Sequence, residues 1–208
     1  GSFNNGEISQ KYKNFLSKFK CPIIKMNYES AELSKISINI FLASTINVSN
    51  MLARTCKNIS ADWSEIVPAL KLDKRIGPKA YLKPGLGISG GNIERYLFSI
   101  KKIMNKDDHG KKMINSFINN SQYMKHWVYR ILKKKIKKGM IVGILGLAYK
   151  DNTNSTKNSP SIELLKRIKS NKVFAYDPLA RVKNHRNFEQ VDDIKMIIKK
   201  SNFILLMT

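Results

Sequence analysis

The chain has 208 residues, 42% hydrophobic and 25% charged, which is the balance of a folded globular protein and far from that of a disordered one. Its 38 Lys and Arg against 15 Asp and Glu give a net charge of +23, which attracts anions of several classes: nucleic acid, anionic lipid and nucleotide diphosphates. The only long apolar run, residues 36–48, is interrupted by Ser, Asn and Thr and falls short of the roughly 20 apolar residues of a bilayer span, so no membrane span is expected.

At the N-terminus there is no signal-peptide order, Gly1-Ser2 reads as a cloning remnant, and a cytoplasmic address is expected. Cys21 and Cys56 fit neither a metal spacing nor a disulfide framework and read as small buried apolar residues, so no metal site is expected.

Residues 23–67 contain neither Gly nor Pro. Apolar Leu33, Ile36, Ile40 and Ala43, then Val48, Leu52, Cys56 and Ile59, recur at helical spacing and predict one long helix. Ile38, Phe41, Leu42 and Ile46 fall off that stripe, so the helix should be covered on more than one side, and a second subunit could supply the cover. Lys35 and Asn39 are one turn apart, where a cation and an amide can address one ligand oxygen; a snorkelling lysine beside a surface asparagine is the competing reading. Asp62 can cap a short helix through Trp63, Ile66, Val67 and Leu70.

Between 75 and 91, Gly77, Pro78, Pro84, Gly85, Gly87, Gly90 and Gly91 rule out a regular element and predict a loop. Helices over about 92–104 and 108–137 follow from periodicity. The lysine run 133–138 before Gly139 suits a helix C-terminus, and the sparse aromatics around the basic residues argue against a nucleic-acid groove.

After Gly139 short apolar strands at 140–145, 173–176 and 203–207 alternate with helices at 161–169 and 192–200, which specifies a parallel doubly wound sheet. The chain stops in the last strand, so a truncated unit is expected. The boundary between the helical and α/β parts falls near 125–139, within a helix that could link them rigidly. The turn Gly143-Ile144-Leu145-Gly146-Leu147-Ala148 would let backbone amides approach a phosphate, and the polar stretch beyond it suits an anionic ligand. An ordinary strand-to-helix connection explains the same residues, and the sequence leaves both open.

Three segments in register carry a family resemblance. Residues 29–43, Glu29-Ser30-Ala31-Glu32-Leu33-Ser34-Lys35 through Asn39 to Ala43, resemble the central helix of UDP-glucose dehydrogenases. Asp73-Lys74-Arg75-Ile76-Gly77-Pro78 with Leu82-Lys83-Pro84-Gly85-Leu86-Gly87 is similar to that family's substrate loop. Gly146-Leu147-Ala148-Tyr149-Lys150, Asn152-Thr153, Ser159-Pro160 and Tyr176-Asp177-Pro178 resemble its sugar-nucleotide domain. The resemblance, to the UDP-glucose/GDP-mannose dehydrogenase family, covers essentially the whole chain.

It implies an α/β protein: residues 1–28 as the end of an N-terminal NAD-binding domain, an all-helical dimerisation and substrate-loop domain over 29–125, and an incomplete Rossmann-like, UDP-sugar-binding parallel-sheet domain over 126–208. By the same carry-over, Lys35 and Asn39 would stabilise negative charge beside the reacting sugar carbon. Lys83, Pro84, Gly85, Leu86, Gly87, Ile88 and Ser89 would hold the nucleotide sugar, with Tyr149 and Lys150 at its nucleotide end. Arg75 would reach the substrate of a partner subunit in a homodimer built on helix 29–59. NAD would be held mainly by a domain outside these residues.

The match fails at the nucleophile. The family's loop runs Gly-Gly-Ser-Cys and, after two further residues, Lys-Asp; here stand Ser89-Gly90-Gly91-Asn92 and Arg95-Tyr96. A thiolate captures the intermediate aldehyde in the family's double oxidation, and an amide nitrogen cannot. Asn92 could still donate a hydrogen bond to an oxyanion, or could simply cap the helix that follows. Lys157 replaces an arginine associated with cofactor binding, keeping charge but losing the planar fork. The expected protein is a homologue of an NAD-dependent dehydrogenase acting on the C6 alcohol of UDP-glucose or a related nucleotide sugar. The alternatives are a catalytically silent nucleotide-sugar-binding dimer and a basic nucleic-acid-binding protein.

Overall fold

A computed structural model describes residues 6–106, 108–182 and 188–208; the Gly1-Ser2 remnant lies outside them. Helix α1 (Gln10–Ser17) is capped by the Ser9 hydroxyl, which accepts from the Tyr12 N–H, and buries none of its residues. This helix within residues 1–28 was not expected.

Helix α2 (Tyr28–Asn58) realises the long Gly- and Pro-free pattern, with Glu29 in its first turn and Lys57 in its last to complement the dipole. By length and composition it could cross a membrane, with a mean hydropathy of 1.4 over its most apolar window. Its buried residues include Asn39, Asn47 and Asn50. Asn47 accepts at 2.8 Å from Asn120 of a neighbouring helix, whereas the buried Asn50 amide nitrogen has no hydrogen-bond partner among the described residues. Helix α3 (Trp63–Leu72) starts at the expected cap, where the Asp62 carboxylate accepts from the Ser64 N–H at 2.8 Å.

Helix α4 (Asn92–Ile103) follows the loop, and its N-cap is Gly91 without a side-chain bond, so Asn92 is the first helical residue and not the cap. The expected helix over 108–137 is two helices, α5 (His109–Lys125) and α6 (Trp127–Lys135). They part at His126, whose ψ of 1° unwinds a single residue and whose Nε2 lies 2.7 Å from the Arg167 guanidinium. Ala43, Ile88, Leu97 and Ile114 form the core joining α2, the loop, α4 and α5.

The second part holds β1 (Val142–Leu145), α7 (Pro160–Arg167), β2 (Val173–Tyr176), β3 (Glu189–Gln190), α8 (Ile194–Lys200) and β4 (Phe203–Leu206). All pairings are parallel, in the order β3-β2-β1-β4, with Val142 opposite both Val173 and Phe203. Strand alternation decides which face each residue covers. Val142, Ile144, Val173 and Ala175 pack with Leu164 and Leu165 of α7 and Val128 and Leu132 of α6. Phe174 packs with Ile197 of α8 on the other face. Each fully buried leucine here contributes about 2 kcal/mol by removal from water. Gly143 is required: a Cβ there would collide with Ile197 Cγ2. Short β3 was not expected. Cys56 is buried with Trp63 and Leu82, but Cys21 is exposed, against the expectation that both are buried.

Candidate functional site

The loop before α4 is pinned from both sides. Asn50 accepts the Gly85 N–H at 2.7 Å, and the Ser121 hydroxyl accepts the Ile88 N–H at 2.8 Å. At Gly87, with φ +85°, a Cβ would meet the Ser121 carbonyl oxygen at 2.5 Å. Leu86 packs on the sheet-domain core while Ile88 packs among α2, α4 and α5, so successive loop residues bridge the two parts. Lys83, Pro84 and Gly85 are exposed, and Ser89 is half-buried.

At its end the loop lies on the segment that follows β1. A Cβ on Gly91 would stand 2.7 Å from Lys157 Cε, so the lysine stem runs along the backbone just before Asn92. Tyr149 is half-buried against Gly90, and Lys150 is exposed with its ammonium 5.6 Å from the Tyr149 ring centroid. The fold therefore brings 86–92, Tyr149, Lys150 and Lys157 together across 57 or more positions of sequence that carry no local link.

Behind this wall sits a buried charge. Lys125 ends α5 with a fully buried side chain, donates to Asn158 Oδ1, and lies 3.7 Å from Glu94 Oε1. The Asn158 amide nitrogen donates to Glu94 Oε2 at 2.7 Å and to the Gly90 carbonyl at 3.1 Å. Burial pushes the Lys125 ammonium below its ordinary value, opposed by Glu94 and Glu163. Asn158 holds φ +55°, a left-handed conformation that asparagine tolerates better than most residues.

The turn after β1 behaves differently from the phosphate-binding expectation. The amides of Leu147 and Ala148 donate to Asp177 Oδ2 at 2.7 and 2.9 Å, and those of Leu179 and Ala180 to Oδ1 at 2.9 and 2.6 Å. Leu147 and Ala148 are buried, so these amides close the sheet end internally and are not offered to a phosphate. Burial pushes the Asp177 carboxyl up, but the four backbone donors outweigh it and hold it below the ordinary carboxylate range. Past this turn a cleft of about 310 Å³ opens at the carboxyl ends of the strands, lined by Lys150, Thr153, Tyr176, Leu206 and Thr208 among others. It lies where the sheet order reverses between β1 and β4, the usual ligand position in open parallel sheets.

Lys35 is exposed and Asn39 buried, and the Asn39 amide nitrogen donates to the Lys35 carbonyl at 3.0 Å, so the two side chains do not converge on one point. Ile40, beside Asn39, packs in one cluster with Ile93, beside Asn92, which brings the two asparagines' segments together. Asn92 is exposed, with Arg95 3.5 Å from its Oδ1. Arg75 stands apart from this group: it grips Asp73 through Nε at 3.0 Å and Nη2 at 2.6 Å, and lines a groove of about 810 Å³ against Ile38, Phe41 and Val48 of α2. Among the described residues no group of His, Cys, Asp and Glu could hold a metal ion.

Sequence reasoning assigned no role to Lys125, Glu94, Asn158 or Asp177. Lys125 carried a usable signal, because it lies at helical spacing on the same side of α5 as buried Ile114 and Ser121.

The sequence pattern of the UDP-glucose/GDP-mannose dehydrogenase family, central domain, matches residues 29–122, and that family's UDP binding domain matches residues 143–208. The UDP-glucose 6-dehydrogenase TuaD of Bacillus subtilis is 34% identical over 166 residues, covering 78% of this chain and 36% of the relative. The UDP-glucose 6-dehydrogenase YwqF of the same organism is 28% identical, covering 98% of this chain and 49% of the relative. The chain thus spans between about a third and a half of the length of the curated relatives it matches. Among solved structures, a UDP-glucose dehydrogenase from the archaeon Pyrobaculum islandicum superposes with a TM-score of 0.80 at 24% identity, over 96% of this chain and 49% of that one, and shares its fold.

Proposed function

This chain belongs to the UDP-glucose/GDP-mannose dehydrogenase family, and from that membership we propose that it supplies the dimerising and UDP-sugar-binding parts of an NAD-linked dehydrogenase for the C6 alcohol of UDP-glucose or a close relative. One observation carries this reading: the loop 83–91 of the helical part closes against Tyr149 and Lys157 of the sheet part, which makes a continuous wall from the strand-end cleft to Asn92. A UDP-sugar would lie along it, its nucleotide at Lys150 and the strand ends and its sugar toward Asn92 and Asn39. Since Asp177 occupies the turn amides, the phosphates would be met by side chains of the sheet part such as Lys150, with Lys83 of the loop lying toward the sugar.

The division into a helical domain at 29–125 and a sheet domain at 126–208 belongs to the same proposal, as does a cytoplasmic setting. So does a homodimer through α2, supported by exposed Ile38, Phe41, Val48 and Met51 on one apolar stretch. Arg75, at the edge of that groove, would then exchange Asp73 for the partner's substrate.

NAD, when bound, supplies the hydride acceptor. Lys157 is the residue here that fits such an anion: it is exposed, cationic and set against Gly91, without the bidentate geometry of arginine. The exposed Lys35 ammonium can stabilise an alkoxide as the hydride leaves. Asn92 can orient a sugar hydroxyl but forms no thioester. The two cysteines do not replace it, since Cys56 is buried in another cluster and Cys21 precedes α2. The chemistry is accordingly a single two-electron oxidation. A second reading, a catalytically silent nucleotide-sugar-binding dimer, draws on the same Asn92.

A panel of UDP- and GDP-sugars, tested for thermal stabilisation of the chain and then for NADH production by the full-length protein that carries the NAD-binding domain, decides between them, since the chain alone is expected to be inactive. Stabilisation with NADH supports the dehydrogenase, and stabilisation alone supports the silent dimer. Salt-dependent DNA binding with no response to any nucleotide sugar would overturn both.

A further inference from the structure

A lysine with no exposed side-chain surface is costly unless its charge is matched, and Lys125 sits in a network with groups from three other segments, two of which it meets directly. Lys125 closes α5, Glu94 lies in the first turn of α4, Gly90 belongs to the loop, and Asn158 precedes α7 in the sheet part. Every polar atom of the Asn158 side chain is used: the oxygen accepts from Lys125, and the nitrogen donates to Glu94 and Gly90. That pattern orients the amide, because the ammonium can only donate and the carboxylate and carbonyl can only accept. Glu94 is two residues from Asn92 and Gly90 two residues before it, so the network grips the backbone on both sides of the exposed asparagine. None of the three side chains faces the cleft at the strand ends, which is lined by other residues.

We propose that Lys125 is a positioning residue that, through Asn158 and Glu94, fixes the sugar end of the cleft relative to its nucleotide end. This rests on the nucleotide-sugar reading above. The network does not touch ligand; it sets the distance between the helical part, which presents Asn92 and Lys35, and the sheet part, which presents Tyr149 and Lys150. A ligand that engages both ends feels that distance, and one that engages only the sheet part does not. Loss of the network should therefore cost affinity for UDP-glucose and leave affinity for UDP.

The test is calorimetric titration of the chain and its Lys125→Met variant with UDP and with UDP-glucose. Asn158→Gly serves as a second variant that tolerates the left-handed backbone and leaves Lys125 in place, should the buried substitution fail to fold. The expected result is a preference of the unaltered chain for UDP-glucose that falls on the order of tenfold in both variants, with UDP affinity changing less than about twofold. Retention of the preference in the variants overturns the proposal. An equal loss for both ligands also overturns it, because that is the mark of a merely structural contact. If the unaltered chain binds neither ligand, the nucleotide-sugar reading itself fails and takes this inference with it.

Discussion

A Cβ atom on Gly90 would stand 2.8 Å from Cε2 of Tyr149, so the loop ahead of α4 lies directly on the tyrosine ring with no space for a side chain between them. Gly90 also holds φ +74°, where alanine costs about 1–2 kcal/mol. Gly90→Ala should destabilise the chain by about 2–3 kcal/mol once the ring contact is added, and should weaken UDP-sugar binding. Tyr149→Ala in the same background should recover the contact part and not the backbone part. Urea titration of the four proteins of the cycle reads both, and an unperturbed Gly90→Ala midpoint would refute the packing argument.

Asp177 is the second point where the fold can be tested. Asn in its place keeps an acceptor for Leu179 and Ala180 but turns an amide N–H2 toward the N–H groups of Leu147 and Ala148, so Asp177→Asn should cost about 2–4 kcal/mol at neutral pH. A carboxyl held below its unfolded value of 3.8 contributes stability that is present above that value and is lost as pH falls through the lower folded one. The gap between the two proteins should be constant from pH 5 to 8 and shrink below about 3.8. A gap that widens on acidification would contradict the assigned hydrogen bonds.

Phe41 is 75% exposed on α2, opposite the side that packs on α4 and α5. If a second copy covers it, Phe41→Glu converts a dimer into a monomer with little change in the monomer's own stability, because the residue is already in solvent there. Sedimentation velocity distinguishes the two species. A dimer that survives the substitution would move the interface away from this face.

Asn92→Cys restores a thiol at an exposed first helical position, but Arg95 and Tyr96 remain where the family carries Lys and Asp. Tyr96 does not supply the carboxylate that the family pattern places there to assist proton transfer or to position water. The single change, made in the full-length protein that carries the NAD-binding domain, should give no UDP-glucuronate from UDP-glucose and NAD. Product formation by that variant, assayed by chromatography, would show that the thiol alone suffices.

The local parts of this architecture are readable along the chain. Uninterrupted apolar spacing specified α2, Asp62 marked the start of α3, and alternating apolar runs announced β1, β2 and β4. The break at His126 has no such mark, since residues 108–137 read as a helix throughout. It coincides with the contact from Arg167, 41 positions away. Asn92 reads equally well as a cap, and only the backbone angles assign that role to Gly91.

By itself the sequence determined the long helices, strands β1, β2 and β4, the family and the departure at Asn92, but not α1, β3 or the break between α5 and α6, because periodicity, capping and motif spacing act over a few residues and leave a direct trace in residue order only where they are strong. The tertiary structure alone decided which polar groups are free to meet a ligand. The small-residue turn after β1 would let its amides approach a phosphate, yet Asp177, about 30 positions later, already occupies them. Lys125 is one lysine in a chain with 38 Lys and Arg, yet among the described residues it is the buried cation, and it ties α4, the loop and the sheet together. Helical spacing put Lys125 on the buried side of α5, but which groups match its charge depends on what folding brings within a few ångströms of it, and local spacing does not encode that.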